Sequence, residues 1–381
     1  MGPLSGMKVV EIGAIGPAPM CTMLLADLGA TVLRIDRQKP SGLGRPRPLR
    51  FNLPMRNRKA IPLDLKQKQA VELVLALVEK ADVLIEGFRP GVMERIGLGP
   101  DICLSRNKRL VYGRMTGWGQ FGPLSKAAGH DINYIALTGA LNQIGRRGQP
   151  PTQPLNLVGD YGGGALYLAF GLMSALFERQ RSGCGQVVDA AIVDGVASML
   201  TSIYGLYAGG LVSERGTNPT DSGSYFYNTY QCADGNWITI GPIEEKFHAE
   251  LLRLLDIDPT TLPPQWDRSG WEKTHAFFTE HFKSRTRDEW CALLEGTDAC
   301  FAPMLSLAEA PLHPHLRARE TFIEIDGIVQ PAPAPRFSRT VPDLPTAPEP
   351  ADPTNVDRAL NGWLPPDRIA ELRDSGLFGQ N

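Results

Sequence analysis

Three side chains of this 381-residue chain stand in contexts that bear on proton transfer. His130 lies in Gly129-His130-Asp131-Ile132-Asn133-Tyr134, just behind the Gly- and Pro-rich run Thr116-Gly117-Trp118-Gly119-Gln120-Phe121-Gly122-Pro123. A histidine where a loop enters a helix exchanges protons near neutral pH, although by itself it fits a helix-entry or satisfied core histidine more readily. Asp160 opens Gly159-Asp160-Tyr161-Gly162-Gly163-Gly164 at the head of a long apolar helix, where aspartate is the ordinary cap choice. The cap leaves the glycines unexplained: each costs about 1 kcal/mol inside a helix, and each lets a ligand or another helix approach the backbone. A helix N-terminus also stabilises a developing enolate oxygen, so cap and functional acid stay equally open. Glu244, after Trp237-Ile238-Thr239-Ile240-Gly241-Pro242-Ile243, reads alone as a first-turn glutamate. His248, His275, His281, His313 and His315 have no comparable Gly-rich frame.

The anion-binding candidates are arginines. Arg34, Arg37, Arg45, Arg47, Arg50, Arg56, Arg58 and Lys59 crowd one early stretch, and Arg89 follows the next strand. Arginine forks suit phosphate oxygens, and Arg37 and Arg89 fall at strand ends, at the carboxyl edge where open α/β sheets bind ligands. A solvated basic loop is the competing reading. The net charge of -2 gives no broad positive field, which argues against nucleic acid as a partner. The turn Gly13-Ala14-Ile15-Gly16-Pro17 lacks Gly-x-Gly-x-x-Gly spacing, and Pro17 removes an amide that a pyrophosphate would use. Six scattered cysteines form no Cys-x-x-Cys pair and no metal-ligand spacing with histidine, so no metal is expected; reduced thiols point to the cytoplasm. No apolar run approaches the length of a membrane span, and the N-terminus lacks a signal-peptide pattern.

These residues need elements to hold them. Lys8 to Ile12 reads as a strand, Met20 to Leu28 as a helix and Thr31 to Asp36 as a strand, a βαβ opening. A helical pattern over Lys66 to Lys80, strands at Val83 to Glu86 and Leu110 to Met115, and a strand at Gln186 to Ala190 continue it. The expected class is α/β, a Rossmann-like parallel sheet with a smaller α+β domain. The long helix spans Asp160 to Gln180, and another runs from Ala191 to about Gly209. Residues 211–226 read as a linker. Past it, strands flank Ala233-Asp234-Gly235-Asn236, a hairpin turn, and helices at 245–255, 270–282 and 286–295 complete a small domain over 227–320. Eight prolines between 331 and 353 make that stretch an extended strap. The large domain is expected over 1–210, completed by 321–381.

In order, Gly2-Pro3-Leu4-Ser5-Gly6, Ala26-Asp27-Leu28-Gly29-Ala30, Asp82-Val83-Leu84-Ile85-Glu86-Gly87-Phe88-Arg89-Pro90-Gly91-Val92, the Gly129-His130 motif, Pro154-Leu155-Asn156-Leu157 and Gly159-Asp160 resemble the α-methylacyl-CoA racemases of the family III CoA-transferase superfamily. The resemblance covers nearly the whole chain. It implies a homodimer interlocked like rings, with His130 and Asp160 of one subunit meeting Glu244 of the other. It assigns the two opposed bases to His130, supported by Glu244, and to Asp160, with Asp131 its neighbour. The Gly-rich helix start would approach the thioester oxygen. Arg37, Arg56, Arg58 and Arg89, with Leu63, Asp64, Leu65, Gly87, Phe88 and Gly129, would hold CoA, which is part of the substrate, so no separate cofactor is implied. Loop 38–55, rich in Pro and Arg, departs from the pattern.

The implied reaction inverts the α-carbon of a 2-methylacyl-CoA: one group takes the α-proton, another returns it from the opposite face, and the thioester oxygen carries enolate charge between. A CoA transferase of the same fold, with Asp160 attacking the thioester as nucleophile, is the alternative. His130 argues for the racemase, because a transferase has no need of a second proton carrier opposite Asp160. A non-catalytic acyl-CoA binding protein would keep the arginines without needing the acid/base set.

Overall fold

The computed structural model describes residues 1–39, 42 and 47–379. The chain divides into two compact units, the first made of Met1–Thr138, Leu155–Met199 and Glu320–Asn381, the second of Gly139–Pro154 and Leu200–Arg319. In the first unit, strands β1 (Lys8–Ile12), β2 (Thr31–Asp36), β3 (Lys59–Pro62), β4 (Val83–Glu86), β5 (Val111–Thr116) and β6 (Val187–Ala191) form one sheet in the order β3-β2-β1-β4-β5-β6. Every pairing is parallel. Val9, Val10, Leu33, Leu84 and Ile85 are fully buried, as strands covered on both faces require. The strand order reverses between β1 and β4, and the crevice beyond their carboxyl ends is where such sheets bind ligands.

Several boundaries moved for local reasons. The first helix begins at Pro17 rather than Met20, since proline suits a first helical turn. The expected helix over 191–209 is two, Ile192–Met199 and Thr201–Ala208. Strand β3 was not foreseen; four residues beside a basic run carry too little pattern. The proline strap has no regular element from 332 to 352, but it is tied down: Asn57 donates its backbone N–H to Thr346 (2.9 Å) and Lys59 pairs with Glu349 (2.5 Å). Beyond it Leu360, Trp363, Leu372 and Phe378 join the core with Leu33, Ile61 and Leu73.

The second unit holds a three-stranded antiparallel sheet, β7 (Asn228–Gln231), β8 (Trp237–Ile240) and β9 (Phe301–Pro303), with helices Glu245–Leu254, Trp271–Phe282 and Arg287–Leu294. Tyr225, Phe226, Tyr230, Phe278, Phe282 and Trp290 fill its core. Residues 139–154 and 200–210, expected in the large domain, group with this unit instead. Arg146 reaches Asn228 Oδ1 and Thr229 Oγ1, and Arg215 reaches the carbonyls of Asn142 and Gln149. The stretch expected as a linker is likewise knotted, with Asp221 accepting the N–H groups of Gly216 and Asn218 at 2.8 Å each. Among the described residues no helix is long and apolar enough to cross a membrane.

Candidate active site

Two adjoining clefts open at the carboxyl ends of the first unit's strands. One, about 510 Å³, runs past Gly13, Arg37, Leu63, Asp64, Leu65 and Phe88 at the ends of β1 to β4. The other, about 390 Å³, is lined by Gly16, Gly87, Phe88, Arg89, Gly129, His130, Tyr134 and Asp160, among others. Phe88 belongs to both. Arg37 stacks over the Phe88 ring at 6.0 Å, and among the described residues neither Arg37 nor Arg89 forms an ion pair, which leaves two exposed cations facing the crevice.

His130 caps the helix Asp131–Leu137, its backbone N–H bonded to Asn133 Oδ1 at 3.0 Å, and its side chain is exposed toward the cleft. The loop before it is shaped by aromatic packing. Tyr134 donates to the Gly129 carbonyl (2.5 Å), and its ring meets Trp118 edge to face with centroids 4.7 Å apart. A Cβ on Gly117 would fall 2.0 Å from the Tyr134 ring, and one on Gly129 would fall 2.7 Å from it, so glycine is obligatory at both.

Asp160 is not the helix cap that its position suggested. The helix starts earlier, with Asn156 at the cap, and Leu157–Leu166 winds as a π-helix in which Tyr161 donates to the Asn156 carbonyl (3.2 Å) before the α-helix Tyr167–Ser182 continues. Such wide turns recur at functional positions. Asp131, from the neighbouring helix, accepts the Asp160 N–H at 2.6 Å, and only glycine fits at 159, where a Cβ would lie 2.3 Å from Asp131 Oδ1. Across the cleft the Asp160 carboxylate lies 3.5 Å from where a Gly16 Cβ would be. Burial, reinforced by the charge of Asp131, pushes the Asp160 carboxyl up to about 6, against the opposing effects of Asn156 and His130. Burial likewise raises Asp131.

The glycine run turns out to serve protein packing. Gly163 and Gly164 are buried; a Cβ on Gly195 would lie 1.9 Å from the Gly163 carbonyl, and one on Gly164 would lie 2.9 Å from Pro17 Cβ. This close contact with the helix Ile192–Met199 accounts for Gly163 and Gly164, while an approach of the helix start to a thioester oxygen stays part of the proposal.

Arg56 and Arg58 stand apart from the clefts. Arg58 is buried with Glu11 (2.7 Å) and Thr22, while Arg56 pairs with Asp27 (2.5 Å) and donates to Gln330 and the Pro331 carbonyl at 2.8 Å each. Their charges are paired inside the protein, and among their donors only Arg58 Nε lacks a partner among the described residues. Arg45 lies outside the described residues. Glu244 belongs to the second unit, at the N-cap of Glu245–Leu254, where the preceding Pro242 and Ile243 carbonyls are held by Gln265 Nε2 at 2.9 and 3.0 Å. Sequence reasoning missed Gly16, Trp118 and Tyr134 as parts of the site; the glycine density of 117–129 was the available signal for the aromatic pair.

The sequence model described as CoA-transferase family III matches residues 4–358. The mouse protein named alpha-methylacyl-CoA racemase is 44% identical over 347 residues, covering 90% of this chain and 88% of the relative. Its human counterpart is 40% identical over 349 residues with the same coverage. Among solved structures, a CAIB/BAIF family protein from Brucella suis superposes with a TM-score of 0.79 at 25% identity, covering 98% of this chain and 99% of that one.

Proposed function

The chain belongs to CoA-transferase family III, and from that premise we propose that it is an isomerase that inverts the α-carbon of 2-methylacyl-CoA thioesters by two-base proton transfer. The observation that carries the reading is a histidine and a carboxyl of near-neutral pKa lining one cleft, His130 and Asp160. Taking a proton from carbon and returning one on the other face requires two acid/base groups that change roles with the enantiomer bound. A carboxyl titrating at about 6 is ionised enough at neutral pH to accept the proton, is a stronger base than an ordinary aspartate, and keeps a larger protonated fraction from which a proton can be returned. Asp131 holds the Asp160 backbone and keeps its carboxylate against the Gly16 turn.

The cleft past Arg37, Leu63 to Leu65 and Phe88 takes the nucleotide part of CoA, and the adjoining cleft takes the thioester and α-carbon; Arg37 faces the phosphates from the first cleft, and Arg89, next to the shared Phe88, faces them from the second. Arg56 and Arg58 contribute indirectly, by holding the elements behind the crevice. The proposed reaction uses protein acids and bases with CoA as part of the substrate, and asks for no resident cofactor or metal.

The proposed working form is a homodimer in which the partner subunit's Glu244 supports His130. An exposed apolar stripe on Tyr167–Ser182, with Phe170 73% and Phe177 64% exposed, is the kind of surface that association buries. Six free cysteines agree with a cytoplasmic setting.

The test is one enantiomer of a 2-methylacyl-CoA incubated with the protein in deuterated water. α-Deuterium uptake with epimerisation is expected. Transfer of CoA to an added carboxylate, without uptake, would replace this reading with a transferase in which Asp160 is the nucleophile.

A further inference from the structure

The loop that carries Phe88 and Arg89 is held at both ends by a charge network, buried at Glu86 and Arg114 and half-exposed at Glu94, that the proposed chemistry does not use. Glu86, the last residue of β4, is fully buried; its Oε2 accepts the Phe88 N–H at 2.7 Å and its Oε1 accepts Arg114 Nε at 3.0 Å. Arg114 comes from the paired position on β5 and reaches on to Glu94 Oε1 at 2.8 Å, on the short helix Val92–Arg95 that follows the loop. One guanidinium thus ties the strand end before the loop to the helix after it. Between those ties Gly87 lies so close to the β1 turn that a Cβ would sit 2.9 Å from Ala14 Cβ, and Gly91 takes a φ of +83°.

Buried ion pairs are poor sources of stability, since apolar side chains of similar volume often do as well or better. A carboxylate sealed at a strand end therefore calls for another role. Burial raises the Glu86 carboxyl, and the Phe88 amide and Arg114 offset this only in part, leaving it at about 7, so its charge depends on the geometry that fixes the loop.

We propose that Glu86 and Arg114 are positioning residues, with Glu94 as their outer anchor, that lock the Phe88–Arg89 loop in the shape that grips the phosphate-bearing end of an acyl thioester. The lock acts through two contacts. It fixes the Phe88 backbone and hence the ring beneath Arg37, and it directs Arg89 into the second cleft. This inference rests on the acyl-CoA reading above. It makes substrate affinity, rather than proton transfer, the quantity these residues control.

The experiment uses the full chain, free CoA as the calorimetric probe, and α-deuterium exchange for kcat and KM. Arg114→Lys keeps a charge beside Glu86 but cannot span both carboxylates; it is expected to weaken CoA binding and raise KM about tenfold, with kcat within about twofold of the parent. Glu94→Gln removes only the half-exposed arm, so the fold tolerates it; a rise of about threefold in both constants is expected at an unchanged melting temperature. Folded variants that both bind CoA as tightly as the parent, or that lose kcat instead, overturn the inference. Parent protein that fails to bind CoA contradicts the acyl-CoA reading itself, and the inference falls with it.

Discussion

The two groups of arginines in the first unit look alike in sequence and differ in everything that decides their use. Arg56 and Arg58 are buried against Asp27 and Glu11; Arg37 and Arg89 are exposed at strand ends and make no ion pair among the described residues. A guanidinium whose charge and donors are satisfied by the protein holds elements together, whereas one left unsatisfied at the mouth of a crevice has capacity for an anion. Basic residues in a sequence therefore mark a ligand site only after their carboxylate partners have been located.

That comparison is open to breaking. The largest effect is expected from Arg58→Met, which leaves the Glu11 carboxylate sealed and unpaired, at a cost of about 3–5 kcal/mol in denaturant unfolding. The double variant with Glu11→Leu should recover most of that loss, because paired apolar replacements are tolerated; a single variant as stable as the parent would show that the pair holds nothing. Arg89→Ala should do the reverse, leaving the melting temperature unchanged while CoA binding weakens by about 1.5–3 kcal/mol, measured by calorimetry. Unchanged binding would move Arg89 to the class of solvated surface cations.

A smaller effect sharpens the contrast between stability and function at Asp160. Its carboxyl is raised from 3.8 to about 6, so the folded state holds the proton more tightly than the unfolded chain, and stability falls as pH rises between those values and then levels off. Asp160→Asn should therefore stabilise the fold at pH 8 by about 1–2 kcal/mol relative to its effect at pH 4, below the full linkage value because the carboxyl is partly solvated. Matched melting curves at the two pH values measure this. An equal effect at both would remove the strain assigned to the ionised carboxylate.

Much of the sheet was legible in the sequence because Lys8–Ile12, Thr31–Asp36 and Val83–Glu86 are short apolar runs bounded by turns. Strand β3, no shorter than Val83–Glu86, was hidden by its basic start after Arg56 and Arg58 and by its closing Pro62, and the π-helical coil around Asp160 by its bonding, since a residue pattern read at 3.6 per turn does not register a local i to i+5 ladder. His130, Arg37 and Arg89, singled out by their place at loop and strand ends, line the two clefts. Arg56 and Arg58 were misjudged because Asp27 and Glu11, their partners, lie 29 and 47 residues away. The glycines after Asp160 were correctly read as a close approach, but what comes close, the helix Ile192–Met199, is a tertiary neighbour that no local pattern names. Glu86 stayed invisible for the same reason: its role exists only once β5 brings Arg114 beside it.

The most direct measurement follows α-hydrogen exchange separately for each enantiomer of a 2-methylacyl-CoA in deuterated water, using Asp160→Asn and His130→Ala. With one base left, each variant should lose inversion by at least about a thousandfold yet still exchange the α-hydrogen of one enantiomer, and the two variants should select opposite enantiomers. Inversion at the parental rate in either variant, or the same enantiomer selected by both, would contradict two-base transfer between His130 and Asp160.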